Sequence, residues 1–431
     1  MTEAKDKSGI FYGWWIVFVC FFIYGFASVI NYTINIYAPF ITKEMNWTRG
    51  DIGYINTAYL LIMLGFGVAA GWFIDKYGPK LCILIGAAMG TLGMVLFSTM
   101  QSRTEAYIYF GGLIGIGVVM QMQLPTQVLA RRWFLKKAGL ATGALMSSTG
   151  FITSILFPLF VKMSETYGWR SMVLWSGTIL EVIVFFLVLF LIKDSPESVG
   201  LHMDGMSDEE AKIVQGAVGK MLEEEPHMAR GEALKSPQFW IVIISLTFFS
   251  LVMAGFLYNT TLIGLSVGMT AAQAALVMSA WVFSAIIGKL GGGWVADKLG
   301  KRKALMLFGF LNTVGYTYAW LFASSPTPLY IFAIWAGIVM SPILVILAPF
   351  FGDLFGRLHL ASILGFAGLI LGLISAFGPL VAGRIAEATN SYQLLYLLGA
   401  VASLVFVIIV PFVKPTRVEL EMSKPRAASG A

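Results

Sequence analysis

Charge is scarce in this chain: of its 431 residues only 12% are Asp, Glu, Lys or Arg, whereas 58% are hydrophobic. Mean hydropathy is +0.80. So few charges cannot cover the apolar surface of a water-soluble domain, so the composition excludes one and places the chain in a bilayer. Cysteine is nearly absent, and Cys20 and Cys82 both fall in apolar runs. That excludes a disulfide framework and a thiolate zinc site. Of three histidines, His202 and His227 belong to a hydrophilic stretch and His359 begins an apolar one, none with metal-ligand neighbours. No phosphate-binding glycine loop and no nucleophile elbow appears. Neither a cofactor nor an enzyme is expected.

Apolar runs, by contrast, fill the chain. The first, from Tyr12 to about Pro39, is too long for a signal-peptide core and lacks a small-residue cleavage site, so it reads as a mature membrane helix. Windows of about 20 apolar residues, the length a helix needs to cross the hydrocarbon, fall at 13–38, 51–74, 81–100, 106–130, 138–160 and 170–192. Six more fall at 238–262, 272–296, 304–323, 327–351, 359–383 and 391–413. The formal charge is +6, but its distribution argues against a nucleic-acid partner. If both termini are cytoplasmic, the inner segments hold 22 of the 29 Lys and Arg; the outer loops hold Lys43, Arg49, Arg103, Lys162, Arg170 and Arg384, and Lys289 stands inside a span. The asymmetry is a topology signal.

One long hydrophilic stretch, 194–236, divides the chain, and its SDEEAK and LEEEP strings suggest a short surface helix. The expected organisation is a cytoplasmic N-terminus (1–12), a six-helix bundle (13–193), a cytoplasmic linker (194–236), a second six-helix bundle (237–414) and a cytoplasmic tail (415–431). The halves also match each other. GWFIDKYGPK at 71–80 aligns with GWVADKLGKR at 293–302, an offset of 222, and WIV recurs at 15–17 and 240–242. A duplicated six-helix unit points to a transporter with its site between the repeats. In both copies a Gly (Gly71, Gly293) precedes an Asp (Asp75, Asp297) by four residues, and Lys76 or Lys298 and then Gly78 or Gly300 follow. The first Gly is expected to allow close helix approach and the second a tight turn.

This doubled loop resembles the signature of the major facilitator superfamily. The resemblance implies an all-α membrane protein of twelve transmembrane helices in two pseudo-symmetric bundles, working by alternating access, with Asp75, Lys76, Arg132, Asp297 and Lys298 in state-dependent contacts. RRWFLKKAGLATG at 131–143, the opening FYGWWIV and PESVGLHMDG after span six are similar to the oxalate/formate antiporter and monocarboxylate transporter branch.

Lys289 lies eight residues before Asp297, roughly 12 Å from the charged end of span eight. A charge at such depth costs about 2.5 to 3.5 kcal/mol even on insertion scales. Snorkelling would have to cover that distance with a side chain of about 6 Å, and Glu181 in span six is the one candidate partner in the apolar core. In the superfamily, spans three, six, nine and twelve are peripheral while span eight lines the pathway, which favours a substrate-facing Lys289 and a structural or interface Glu181. Proton-coupled monocarboxylate transporters commonly carry an Asp four residues before an Arg on span eight; here those positions are Ala285 and Lys289. Oxalate-type antiporters add a cation on span eleven, which has none here in its apolar core. One cation balances one carboxylate, and lysine, unlike arginine, can exchange its proton.

Span one carries Tyr24, Ser28, Asn31, Tyr32 and Asn35 at three- and four-residue spacing, span four carries Gln123, Thr126 and Gln127, and span seven Tyr258 and Asn259. Trp281 lies eight residues before Lys289, on the same helix face. Each is equally explained by packing or bonding between helices; together Asn31, Tyr32, Asn35, Gln123, Tyr258, Asn259, Trp281 and Lys289 are the expected substrate-binding set. The expectation is a monomeric, plasma-membrane symporter (inner membrane in a Gram-negative cell) of a small monocarboxylate and a proton; exchange of carboxylates without protons is the alternative.

Overall fold

The computed structural model describes residues 11–206, 210 and 225–422. The described residues are helical, and twelve helices are long and apolar enough to cross a membrane. They are α1 (Tyr12–Met45), α2 (Arg49–Tyr77), α3 (Pro79–Ser98), α4 (Arg103–Trp133), α5 (Ala138–Tyr167), α6 (Trp169–Leu191), α7 (Pro237–Leu257), α8 (Ala271–Leu299), α9 (Lys301–Phe322), α10 (Pro326–Phe355), α11 (Leu360–Thr389) and α12 (Gln393–Phe412). Each covers one of the windows expected from hydropathy to within a residue or two at the ends, except α7, which stops at Leu257 where the window runs to 262. The surface helix expected at SDEEAK and most of LEEEP lies outside the described residues.

Local chemistry fixes where helices begin and turn. Thr48 and Asp51 form a reciprocal capping box at the start of α2, and Thr270 and Gln273 exchange the same pair of bonds at the start of α8; both satisfy amide donors that a helix start leaves open. In the two signature loops Gly78 and Gly300 adopt φ 88° and 82°, a region that side chains with a Cβ rarely enter. The turn expected of the second glycine is therefore present in both copies.

Four spans are discontinuous. α1 breaks at Tyr32, α4 at Met122, α11 between Ser375 and Gly378, and α7 ends at Leu257 before a further helix, Thr260–Ser266. Hydropathy does not register such breaks, because an average over a span of about 20 residues stays apolar even where Asn31 and Thr33, Gln121 and Gln123, or Tyr258 and Asn259 stand at the break.

By packing, the chain forms two compact units. The first holds residues 11–206 and 210 with Gly255–Phe283 and Ala376–Tyr392; the second holds 225–254, Ser284–Ser375 and 393–422. The core of the first includes Ile16, Ile23, Trp133, Leu145 and Val184. At one corner the three family-like strings meet: Phe11 and Trp14 pack on Phe134 at 5.5 and 4.7 Å, and Tyr12 on Trp133 at 5.4 Å. There Asp204 accepts the N–H groups of Leu135 and Lys136 at 2.8 and 2.7 Å, tying the basic loop to the segment after α6. In the second unit Tyr316, Phe332 and Tyr396 join α9, α10 and α12, with ring centroids 5.3 and 5.4 Å apart.

Candidate functional site

The break in α1 presents a polar cluster inside the first unit. Tyr59 on α2 donates from its hydroxyl to Asn31 Oδ1 at 2.7 Å, and Asn31 Nδ2 donates to the Tyr258 hydroxyl at 3.4 Å. The rings of Tyr258 and Tyr32 lie 5.7 Å apart. One turn on, Asn56 Nδ2 donates to Asn35 Oδ1 at 3.4 Å, while Asn259 Nδ2 is held by the carbonyls of Gly255 and Pro379. All are buried. Asn35 Nδ2, Asn56 Oδ1 and Asn259 Oδ1 have no partner among the described residues, so the cluster keeps unspent donors and acceptors where an unmade hydrogen bond is costly. The expected residues Asn31, Tyr32 and Tyr258 are thus brought together. Tyr59 and Asn56 were missed by the sequence reading, although their spacing of three on an apolar helix was a usable signal.

Lys289 belongs to the second unit. Its helix is pressed onto α10 along the stripe Ala285, Gly288 and Gly292: the Ser341 hydroxyl lies within bonding distance of the Ala285 carbonyl at 3.1 Å, a Cβ at Gly288 would overlap the Ile338 carbonyl and Ser341, and one at Gly292 would overlap Pro342. Lys289 follows Gly288 by one residue, so it leaves the helix about 100° round from that stripe. It is partly exposed and makes no ion pair with any described residue. The same packing explains Ala285. Its methyl group is buried on the crowded face, where a carboxylate would have no room.

Glu181 does not account for the lysine. It is fully buried on α6, and its Oε1 accepts from Gln121 Nε2 on α4 at 2.8 Å. The facing residue on α3 is Gly90, where any Cβ would fall on the Glu181 carboxyl. Gln123 is exposed and its side chain bonds to no described residue; Trp281 is half-buried on the part of α8 that belongs to the first unit.

At the signature loops Asp75 and Asp297 are exposed and form no ion pair among the described residues. Lys76 lies over the rings of Trp72 and Tyr77 at 5.2 and 5.0 Å, and Lys298 over Trp294 at 4.0 Å; each pairing with a tryptophan is an i, i+4 cation–π contact on one helix face. Arg132 is partly exposed in the basic loop. The close approach expected of Gly71 and Gly293 is not found: a Cβ on Gly71 would meet only Leu124 at 3.7 Å, and one on Gly293 nothing within 4 Å. In the second copy close contact falls instead on the adjacent Gly292 and on Gly288 one turn before it, because that stripe faces α10.

At the other end of α2 the first unit is tightly joined. Gly50 N–H donates to Glu387 Oε1 at 3.0 Å, and Arg384 bonds both Glu387 Oε2 and the Tyr54 hydroxyl at 2.9 Å. A Cβ on Gly53 would strike the backbone of Pro379 and Leu380 on α11.

Twelve spans, a doubled loop and broken helices around a polar cluster agree with a sequence match: residues 17–270 and 250–430 fit the model of the Major Facilitator Superfamily. The chain belongs to the major facilitator superfamily. Members of this superfamily are transporters and not enzymes, and the chain is a multi-pass membrane protein. Among its relatives, Monocarboxylate transporter 3 of Gallus gallus is 24% identical over 420 residues, covering 90% of this chain and 75% of that protein. Monocarboxylate transporter 2 of Mesocricetus auratus is 23% identical over 397 residues, covering 90% and 80%. The Oxalate:formate antiporter of Oxalobacter formigenes is 24% identical over 310 residues, covering 70% and 67%. Among solved structures, a bacterial homolog of the human lysosomal transporter Spinster, in an inward-facing and unoccupied conformation, superposes with a TM-score of 0.68 at 13% identity, covering 96% of this chain and 99% of that one.

Proposed function

We propose that this facilitator carries a small monocarboxylate anion together with a proton by alternating access. The observation that carries the reading is Lys289: a cation near the middle of α8 that no described carboxylate pairs with, beside a helix face too crowded to supply one. A charge at that depth is costly unless it serves a ligand. In the symport cycle the side chain is a neutral amine before the anion arrives; it takes one proton as the carboxylate enters, the resulting ammonium and carboxylate balance each other, and the proton leaves with the anion, as a guanidinium cannot arrange. Asn31, Tyr32, Asn35, Tyr258 and Asn259 supply donors and acceptors to the rest of the substrate, with Gln123 and Trp281 completing the set. Asp75, Lys76, Arg132, Asp297 and Lys298 change partners between states. In this reading the protein is a monomer in the plasma membrane with both termini cytoplasmic, and the Glu387, Arg384 and Tyr54 contacts close its outer end.

Carboxylate exchange without protons is the second reading, favoured by the similarity to the oxalate:formate antiporter. Proteoliposome uptake of labelled lactate, pyruvate, acetate and benzoate, with and without an inward proton gradient, separates the two. The expected result is gradient-driven accumulation that disappears in Lys289→Gln, while Lys289→Arg keeps exchange and loses the gradient response. Uptake indifferent to the gradient would leave the exchanger; uptake of any of these acids unchanged in Lys289→Gln would overturn the role of the lysine.

A further inference from the structure

At the end of α2 opposite its signature loop, a cavity of about 380 Å³ opens between the α1–α2 turn, the helix after α7 and the end of α11. Its polar lining includes Thr42, Thr48, Arg49, Glu387 and Asn390, all within the first unit.

The charges around it are unequally spent. Glu387 is fully engaged: Oε1 takes the Gly50 N–H at 3.0 Å, Oε2 takes Arg384 at 2.9 Å, and the Thr48 hydroxyl also bonds it. Asp51 takes the Thr48 N–H at 2.9 Å and pairs with Arg103 at 2.9 Å. Arg170 pairs with Glu44 at 2.9 Å. Arg49 is different. Its guanidinium lies over the Tyr392 ring, 5.6 Å from the centroid, and it forms no ion pair among the described residues. The first N–H groups of α2 are already used by Glu387 and Thr48. Free positive charge in the cavity therefore resides on one side chain.

We propose that the Arg49 cavity is a second anion site, a capture point that takes a small carboxylate on the guanidinium before or after it occupies the central site. Planar guanidinium matches planar carboxylate with two parallel N–H donors, and Asn390 and Thr42 stand in the same lining. The choice of carboxylate over other small anions rests on the function proposed above; the site itself does not depend on Lys289.

Equilibrium dialysis of labelled formate and of labelled L-lactate against purified wild type, Lys289→Gln, Arg49→Gln, Arg49→Lys and the double glutamine variant tests this with no transport readout. The expected stoichiometry is two anions in wild type, one in each glutamine variant and none in the double, with Arg49→Lys restoring the count at weaker affinity and showing that the fold tolerates substitution there. If Lys289 is not an anchor, Lys289→Gln keeps the wild-type count while Arg49→Gln still loses one, and the cavity site stands. An Arg49→Gln count equal to wild type, or no binding of either probe to wild type, would overturn it. In uptake, Arg49→Gln is expected to raise KM about tenfold for entry from the cavity end with kcat little changed.

Discussion

Removing one oxygen atom from Tyr59 tests whether the polar cluster at the α1 break acts as a unit. Tyr59→Phe keeps the ring stacked on Phe110, whose centroid is 4.5 Å away, and deletes only the 2.7 Å donor to Asn31 Oδ1. In a soluble core, leaving that acceptor unmade would cost about 1 to 3 kcal/mol. Between membrane helices the average coupling is nearer 0.6 kcal/mol with a maximum of about 1.7. Tyr59 is fully buried and Asn31 nearly so, and Asn31 also depends on this bond to aim its amide at Tyr258, so the upper part of that range applies: about 1 to 1.5 kcal/mol, close to tenfold in an equilibrium constant. The assay is a double-mutant cycle with Asn31→Leu, reading reversible unfolding in detergent and, separately, substrate affinity. Tyr59→Phe should lower both, and the double variant should be less damaged than the sum of the singles by about 1 kcal/mol. Additivity within about 0.3 kcal/mol would mean the two side chains do not work together, and would remove the cluster from the proposed substrate site.

Gly90→Ala places a methyl group on the Glu181 carboxyl, an overpacking that costs about 1 to 3 kcal/mol. The melting temperature should fall, and Glu181→Ala in the same chain should recover part of it; a Gly90→Ala protein as stable as wild type would contradict the packing described. Ala285→Asp, which restores the carboxylate position of the monocarboxylate transporter pattern, should lower folded yield, because that face is closed by Ser341 and α10. Normal yield with a strengthened proton dependence would show that α8 and α10 separate more readily than their contact implies.

Much of the fold was legible without coordinates. Apolar runs of membrane-spanning length give helices directly, since a backbone in hydrocarbon must satisfy its own hydrogen bonds, and the doubled GWxxDKxGxx string announced the repeat. Gly78 and Gly300 were readable as turns because only glycine takes their φ freely. The site was read in part. A stripe of Asn and Tyr at helical spacing marked α1, and an isolated lysine marked α8. Tyr59, Asn56, Gln121 and Arg49 were passed over because each is ordinary in its own segment and acquires meaning only through a partner 21 or more residues away, such as Asn56 with Asn35 or Gln121 with Glu181.

The sequence alone determined twelve spans, the repeated loop string and an isolated lysine in an apolar span, because hydrophobicity and charge cost are properties of a residue and its immediate neighbours. Tertiary structure decided where α1, α4, α7 and α11 break, which glycines touch another helix, and which acids are already spent. Those are outcomes of competition for contact among side chains remote in sequence, as when Arg384 and the Gly50 N–H both engage Glu387.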